Sequence, residues 1–508
     1  MADRLYTSLE ADEYIVGLRM KTRIDKSILA KMAFAVSLVK NRDTVKQSLD
    51  FSGGEIKRPT FFKEDELFIR ALISQVYKNS DFSEDELYSN KSIIKNHIDS
   101  GAIILWEIFE RCKKEPSCWY ESILKQINFK GINDTSVRSL DVFIGREVLG
   151  EKPVIVEINN TIKHANSHMA IMGKPGVGKT QFLLKILADI RLQSNFKTNF
   201  ILFDYKGDVI ENKTFLEVTR ANTYRLLQGD QNLPINPFLL PEYNEQAIKI
   251  SAREKSESFA CLNPQFGIVQ KGELTESIVA AYQKRAGSEK PFPDFKDILD
   301  IALENYNNAK RKNDTLIEIL KDLAEFNLFW SHNNMTDPIS RLSNRTIVVD
   351  LHTLPVLKEL VVYLVIERLY KEIIVLPDSP IKDGRRVIRM ILVIDEAHNY
   401  LPHKNIFLQK VIREGRSKGI AVFFASQSPA DYQQKAFNFQ ELLEFTYIFQ
   451  AEGVSPSAIQ DLLGCNNNTA RDLQVEIARL EPFQAICRGV EKSDEYIKVT
   501  TEPFFRNH

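Results

Sequence analysis

The residues best suited to chemistry lie in Gly173-Lys174-Pro175-Gly176-Val177-Gly178-Lys179-Thr180-Gln181, a Gly-x-x-x-x-Gly-Lys-Thr loop with one residue beyond it. Its glycines let successive backbone N–H groups turn inward around a phosphate, at the positive end of a following helix. Lys179 is placed to neutralise the β- and γ-phosphates of a nucleotide, and Thr180 to offer its hydroxyl to Mg²⁺. The apolar run through Ile171 and Met172 before the loop reads as a strand, and Gln181-Phe182-Leu183-Leu184-Lys185-Ile186-Leu187 after it as a helix. Strand, phosphate loop and helix in that order predict an ATP site with Mg²⁺ as cofactor.

A second chemical landmark is Met390-Ile391-Leu392-Val393-Ile394-Asp395-Glu396, an apolar strand ending in two acids. A hydrolytic phosphate-loop enzyme needs one acid to hold Mg²⁺ through its shell, the part given to Asp395. It needs another to polarise the attacking water, the part given to Glu396. Gln427 follows a further apolar run, Ile420 to Ala425, at a tip from which a γ-phosphate sensor would reach the site. Asp204 ends the run Phe200 to Phe203, where it serves either to orient water or a metal-bound ligand, or to cap the next helix.

The elements that must position these groups alternate strand and helix, which predicts an α/β fold. Buried strands are expected around the phosphate loop, at Phe200 to Phe203, at Arg345 to Leu351 and at Met390 to Ile394, with an amphipathic helix from Leu360 to Ile374. Short β-rich pieces, Val142 to Glu147 and Pro153 to Ile158, lead into the loop strand. Residues 243–335 carry helical patterns, such as Ile278 to Tyr282 and Leu316 to Leu328, and read as a helical insertion. The first 111 residues read as a small, mainly helical unit. One stripe there is Ile28, Leu29, Met32 and Val36, and another is Phe68, Ala71, Leu72 and Val76. Between them Gly53-Gly54 permits positive φ and suggests a tight turn or hairpin. Residues 112–137 read as a connector.

With 508 residues, 44% of them hydrophobic, the chain is long enough for more than one core. A formal net charge of −1 excludes a globally basic nucleic-acid binder, so any DNA site must be a local patch. The stretch Arg19 to Lys46 is such an island, with eight basic residues against Asp25 and Asp43. It reads either as a solvated face or as a phosphate-backbone contact, for which clustering nominates Lys21, Arg23, Lys26 and Lys31. Cys112, Cys118, Cys261, Cys465 and Cys487 form no Cys-x-x-Cys pair and no zinc or iron–sulfur spacing, so reduced structural thiols are expected. No signal-peptide core and no run approaching the ~18 apolar residues of a span is visible, so the expectation is a cytoplasmic protein with no membrane partner.

Two resemblances extend this reading. Gly17-Leu18-Arg19-Met20-Lys21-Thr22-Arg23-Ile24, Leu29-Ala30-Lys31-Met32-Ala33, Ser37-Leu38 and Gly53-Gly54 resemble the DNA sulfur-modification protein DndE. That family is a helical oligomer with affinity for duplex DNA, nicked DNA in particular, and is associated with DNA phosphorothioation. From about residue 140 onward the order is similar to that of HerA/FtsK-type DNA-translocating ATPases. It runs through Ile144-Gly145-Arg146, Gly173 to Thr180, Asp204-x-Lys206-Gly207, Ile235-Asn236-Pro237, Val349-Asp350-Leu351, Asp395-Glu396-Ala397-His398, Glu414-Gly415-Arg416 and Ala425-Ser426-Gln427. That resemblance implies a RecA-like ASCE P-loop ATPase sheet. It assigns Lys179, Thr180, Asp395 and Glu396 to nucleotide, metal and water, and Gln427 to sensing the γ-phosphate. It also implies a homo-oligomer, a hexameric ring, closed by an arginine from the neighbouring subunit, with Arg416 the candidate and Arg413 the runner-up.

The expected architecture is therefore a DndE-like DNA-binding domain at 1–111, a connector at 112–137 and a HerA/FtsK-like ATPase at 138–508. The expected activity is ATP hydrolysis coupled to binding or translocating double-stranded DNA, together with other proteins of a phosphorothioate-modification system. A translocase subunit of a linked restriction or antiviral defence complex and a nonmotor ATP-gated scaffold are the alternatives. The Asp-Glu-Ala-His letters also suggest an RNA helicase, but too few residues follow Asp395 for a second motor lobe, and several strands there must finish the first sheet.

Overall fold

The computed structural model of the chain describes residues 4–41, 45, 47–63, 65–77, 82–112, 114–116, 119, 122–123, 137–227, 232–240, 243–263, 265–288, 291–330, 341–354, 356–403, 405–434, 437–490 and 496–506. Two compact units divide it, Met1–Ser136 and Val137–His508.

In the first unit, strand β1 (Arg4–Tyr6) pairs antiparallel with β2 (Glu55–Lys57), and helices α1 (Leu9–Thr22), α2 (Lys26–Asn41), α3 (Arg58–Phe62), α4 (Glu66–Tyr77), α5 (Glu84–Leu87) and α6 (Ile93–Arg111) pack around them. Ser8 starts α1 by accepting the Ala11 N–H, and Arg23 ends it in the left-handed region at φ 59°. The core joins Ile15, Leu18, Leu29, Phe34, Ile98 and Leu105. Trp119 and Ile123 are buried in the same core, and the Trp119 indole N–H donates to the Leu105 carbonyl at 2.9 Å.

Three details differ from the sequence reading. On α2, Ile28 is 46% exposed, and Ala30, Ala33 and Phe34 fill the interior with Leu29 and Val36. On α4 the buried residues are Ile69 and Ile73, whereas Phe68 is 64% exposed. Gly53 and Gly54 do not adopt positive φ. They pair with the chain at Thr7, through Gly53 N–H to Thr7 O at 2.9 Å and Thr7 N–H to Gly54 O at 3.2 Å. A Cβ on Gly53 would collide with the Ser8 carbonyl, and one on Gly54 with the Lys26–Asp12 ion pair. Close approach, not turn geometry, requires both glycines. Arg42, Asp43, Lys46 and Cys118 lie outside the described residues.

The second unit is built on one eleven-stranded sheet. Its strands are β3 (Asp141–Glu147), β4 (Pro153–Glu157), β5 (Met169–Met172), β6 (Asn199–Asp204), β7 (Asn222–Arg225), β8 (Ile347–Asp350), β11 (Met390–Ile394), β12 (Ile420–Ser426), β15 (Phe445–Phe449), β16 (Gln484–Arg488) and β17 (Tyr496–Thr501). The hairpins β9 (Ile381–Lys382) with β10 (Arg385–Arg386) and β13 (Gln433–Gln434) with β14 (Phe437–Asn438) stand apart from it. Across the sheet the order is β4-β3-β17-β16-β15-β5-β12-β11-β6-β8-β7. From β15 to β7 the strands are parallel, and from β15 outward to β4 they are antiparallel. The β3–β4 pair therefore does not adjoin the loop strand, because the late strands β15, β16 and β17 come between.

Alternation along the central strands divides the core into two faces. Ala170, Met172, Ile201, Phe203, Leu392 and Ile394 enter one, and Met169, Ile171, Phe200, Leu202, Ile391 and Val393 the other. The second face is covered by the helix after the phosphate loop, α7 (Lys179–Gln193), through Phe182, Ile186 and Ile190. The first is covered by α13 (Lys358–Ile373) and by the insertion, whose helices are α9 (Glu245–Leu262), α10 (Ile268–Arg285), α11 (Phe295–Asn308) and α12 (Thr315–Phe326). Helix α13 is buried nearly all round rather than amphipathic, since the insertion covers its outer side. There Lys255 of α9 and Glu367 of α13 make a fully buried ion pair at 2.6 Å, which Lys371 joins at 2.7 Å.

His168 fixes the foot of the loop strand. Its Nδ1 accepts the Val422 N–H of β12 at 3.0 Å, so Nε2 carries the proton and donates to the Ile412 carbonyl at 3.0 Å. Ile412 belongs to α14 (Ile406–Glu414), so one neutral ring joins two strands and a helix. Complete burial pushes its pKa down to about 4. An unfolded imidazole titrates near pH ~6.5. Between these values the unfolded chain binds a proton that the native ring refuses, so the His168 contribution is whole above about pH 6.5 and is lost as pH falls toward 4. The stability advantage of the wild type over a His168→Gln variant should therefore shrink from pH 7 to pH 5 in urea unfolding. An advantage unchanged over that interval would remove His168 as the cause.

Candidate active site

The parallel register brings distant segments to one edge of the sheet. Met172 pairs with Ser426, Phe424 with Ile394, and Ile394 with Phe203. The residues just beyond these partners are Gly173, Gln427, Asp395 and Asp204, so all four cluster where the strands end.

The loop is held open by its glycines. Gly173 (φ 151°) would place a Cβ 2.7 Å from the Phe449 Cβ, and Gly178 (φ 104°) would drive one into the Phe483 ring, while Gly176 (φ 81°) faces open space. Neighbouring strands tie the loop down, through Gly173 N–H to Ser426 O at 3.3 Å and Lys174 N–H to Gln450 O at 2.8 Å. The Lys179 ammonium folds over the loop, donating to the carbonyls of Gly173 at 2.5 Å and Lys174 at 2.9 Å. Burial, then the nearby Lys206 charge, lowers its pKa. Gln181, in the first helical turn, has a buried Oε1 with no hydrogen-bond partner among the described residues. An enclosed cation and an open loop of backbone N–H donors fit a nucleotide's phosphates.

Beside the loop stand the two acids. Asp395 is almost fully buried, and burial together with Glu396 pushes its carboxyl up to about 7. Such a group favours a cation, and Asp395 and Thr180 are the residues that would hold Mg²⁺, which would supply positive charge beside the phosphates. Glu396 sits in the left-handed region at φ 48°, ψ 48°, a strained conformation for a side-chain-bearing residue. Its Oε1 is ion-paired with Lys206, and its Oε2 accepts the Gln427 Nε2–H at 2.9 Å, with His398 Nδ1 3.2 Å away outside hydrogen-bond geometry. Burial alone would raise the Glu396 pKa, but Lys206 and Gln427 outweigh it and hold the carboxylate ionised.

Not every candidate joins this cluster. Asp204 turns away from it: its carboxylate accepts the backbone N–H groups of Gly207, Val209 and Ile210, each at 2.9 Å, and so caps the turn that carries Lys206. Arg416 lies in the exposed turn before β12, whereas Gln427 lies just after it, so the strand separates Arg416 from its own loop by about 20 Å. Arg413, also exposed, lies over the Phe437 ring at 4.8 Å. In the first unit the basic island divides. Lys21 and Arg23 are exposed at the end of α1, but Lys26 is paired with Asp12 at 2.6 Å and Lys31 with Asp65 at 2.5 Å. The polar face expected for all four is thus, for Lys26 and Lys31, a set of intramolecular contacts. Lys206 and Phe483 were given no role from sequence. The Asp204-x-Lys206-Gly207 spacing marked the first, and nothing local marked the second.

A parallel sheet with a phosphate loop on one strand, acids on another and a sensor strand between them defines a P-loop ATPase fold. Residues 142–373 match the family model for the central domain of helicase HerA, and residues 4–110 match that for DNA sulphur modification protein DndE. The two matches lie in tandem on the chain. DNA import protein CedB of Sulfolobus acidocaldarius is 25% identical over 364 residues, covering 70% of this chain and 52% of that protein. The chain thus spans about half the length of this curated relative. Among solved structures, VirB4 of Thermoanaerobacter pseudethanolicus aligns with a TM-score of 0.55 at 17% identity, over 73% of this chain and 98% of that one. The plasmid coupling protein TrwB in complex with ADP and Mg²⁺ aligns at 0.45 and 14%, over 66% and 85%, too slight a likeness to build on. Among the described residues no helix is long and apolar enough to cross a membrane.

If Asp204 serves the turn rather than the chemistry, Asp204→Ala leaves three N–H groups without their acceptor and should lower stability by roughly 1–3 kcal/mol. Asp204→Asn, which keeps one acceptor oxygen, should cost less. Thermal unfolding of the full chain checks the order; equal stability of all three proteins would remove the capping role.

Proposed function

We propose that the chain is an ATP-hydrolysing motor that moves double-stranded DNA, with its DndE-type domain as a DNA-gripping module, in the service of a DNA phosphorothioate-modification system. The observation that carries the ATPase reading is the placing of Glu396, ionised and buried, beside the phosphate loop by strands that the sequence separates by more than 200 residues. The DndE and HerA matches and the likeness to a DNA import protein support DNA as the substrate.

In this reading the backbone of Gly173 to Thr180 binds the phosphates and Lys179 leaves its loop carbonyls for the β- and γ-phosphates. Mg²⁺ held by Thr180 and Asp395 would supply charge neutralisation on the phosphate oxygens. Glu396 accepts the proton of the attacking water, and Gln427, bonded to it, reports the γ-phosphate along β12. Arg416 lies before the start of β12, at the opposite end of that strand from its own loop, and in this reading it completes a neighbour's site in a ring of identical subunits. A homo-hexamer acting with other modification proteins is the assembly proposed.

Lys179→Ala should abolish measurable nucleotide binding, whereas Glu396→Gln should bind ATP and stall hydrolysis, with a turnover loss of at least ~10²-fold. Normal turnover in Glu396→Gln would refute the water-activating role. The broader test is the ATPase rate with and without duplex, nicked and single-stranded DNA; a rate indifferent to all three would favour a nonmotor scaffold. For the first unit, replacing Lys21 and Arg23 by Ser should weaken duplex binding and flatten its salt dependence while leaving the melting temperature unchanged. Replacing Lys26 or Lys31 should instead lower stability.

A further inference from the structure

Resting on the nucleotide reading of the loop, we infer that Phe505, backed by Phe483, is a stacking platform for the nucleobase. The Phe483 backbone lies in the left-handed region at φ 67°, a genuine outlier for a bulky side chain. Hydrogen bonds hold it there from both sides: its N–H donates to the Val177 carbonyl of the loop at 2.9 Å, and its own carbonyl accepts the Thr501 N–H and hydroxyl, each at 2.7 Å. The result is a phenyl ring pressed against the Cα of Gly178, leaving no room for a Cβ there.

Phe505 extends this ring outward. The two rings meet edge-on with centroids 6.0 Å apart, and Phe505 remains 58% exposed. Its neighbour Phe504 is 2% exposed and packs edge-on against Phe215 at 5.6 Å, while the Glu502 N–H is bonded to the Ile144 carbonyl at 3.0 Å. The segment is therefore anchored on both the helix Lys213–Thr219 and β3, and Phe505 is left outward by construction. An exposed aromatic ring on a fixed base, one residue's width beyond a phosphate cradle, is placed where the ribose of a nucleotide would deliver its base. Since every base has a π-face, stacking supplies affinity without choosing among bases.

The test compares ADP with inorganic tripolyphosphate, each titrated calorimetrically with Mg²⁺ into the full chain. Phe505→Ala should weaken ADP by on the order of ten-fold and leave tripolyphosphate unchanged. GDP should lose as much as ADP. Phe505→Trp should keep ADP affinity, and its added indole fluorescence should change on ADP but not on tripolyphosphate. Equal loss of both ligands in Phe505→Ala would show that the ring only buttresses Phe483 and the loop, and unchanged binding of both would show that it touches nothing; either result overturns the platform. A wild-type chain that binds neither ligand would overturn the nucleotide site itself, and the platform with it.

Discussion

Everything at the site depends on the register of four parallel strands. The loop follows β5, the acids follow β11, Gln427 follows β12 and Lys206 lies just past β6. None of these segments is near another in sequence except through the ladder that aligns Met172, Ser426, Ile394 and Phe203. A slip of one residue in any strand would reverse its side chains between the two buried faces, so hydrophobic burial on both sides enforces the alignment that the chemistry needs. The ring of His168 locks two of these strands, β5 and β12, toward their opposite ends.

The local pieces were legible in sequence to the extent that they were local. Glycine spacing identified the loop, and apolar runs ending in acids identified the strands. Pairings across strand order were not legible. Lys206 meets Glu396 only because β6 lies beside β11, and Asp204 turns away only because the backbone after β6 curls back to meet its carboxylate. The stripe on α4 shows a different failure. Leu67, Phe68, Ile69, Ala71, Leu72, Ile73 and Val76 make that helix apolar almost all round, so periodicity alone selects no face. Its orientation is fixed instead by ion pairs, in which Glu66 and Arg70 of α4 join Arg58 and Glu84.

The basic island shows why charge counts mislead in either direction. Lys26 and Lys31 look like free cations on a helix face, yet each is three-quarters buried and paired with an acid from another segment. Gly54 is where the Lys26–Asp12 pair comes closest to the backbone, so the paired glycines and the island, separate features in the sequence, are parts of one contact. Among the described side chains of the island, a smaller group at the end of α1 remains for solvent, where Arg19 and Lys21 also oppose the negative end of the helix dipole.

Around the phosphates, fixed and movable parts are cleanly divided. The loop backbone, Phe483 and Asp204 are each held by several backbone hydrogen bonds, so their positions belong to the fold. Lys179, Lys206 and Gln427 are long side chains whose present partners are a loop carbonyl pair and one carboxylate. Those partners are the groups whose charge balance an incoming triphosphate changes most. A ligand of several negative charges competes directly with the loop carbonyls for Lys179 and with Glu396 for Lys206. Glu396 is also bonded to Gln427, so a change of its charge balance is felt first at the end of β12.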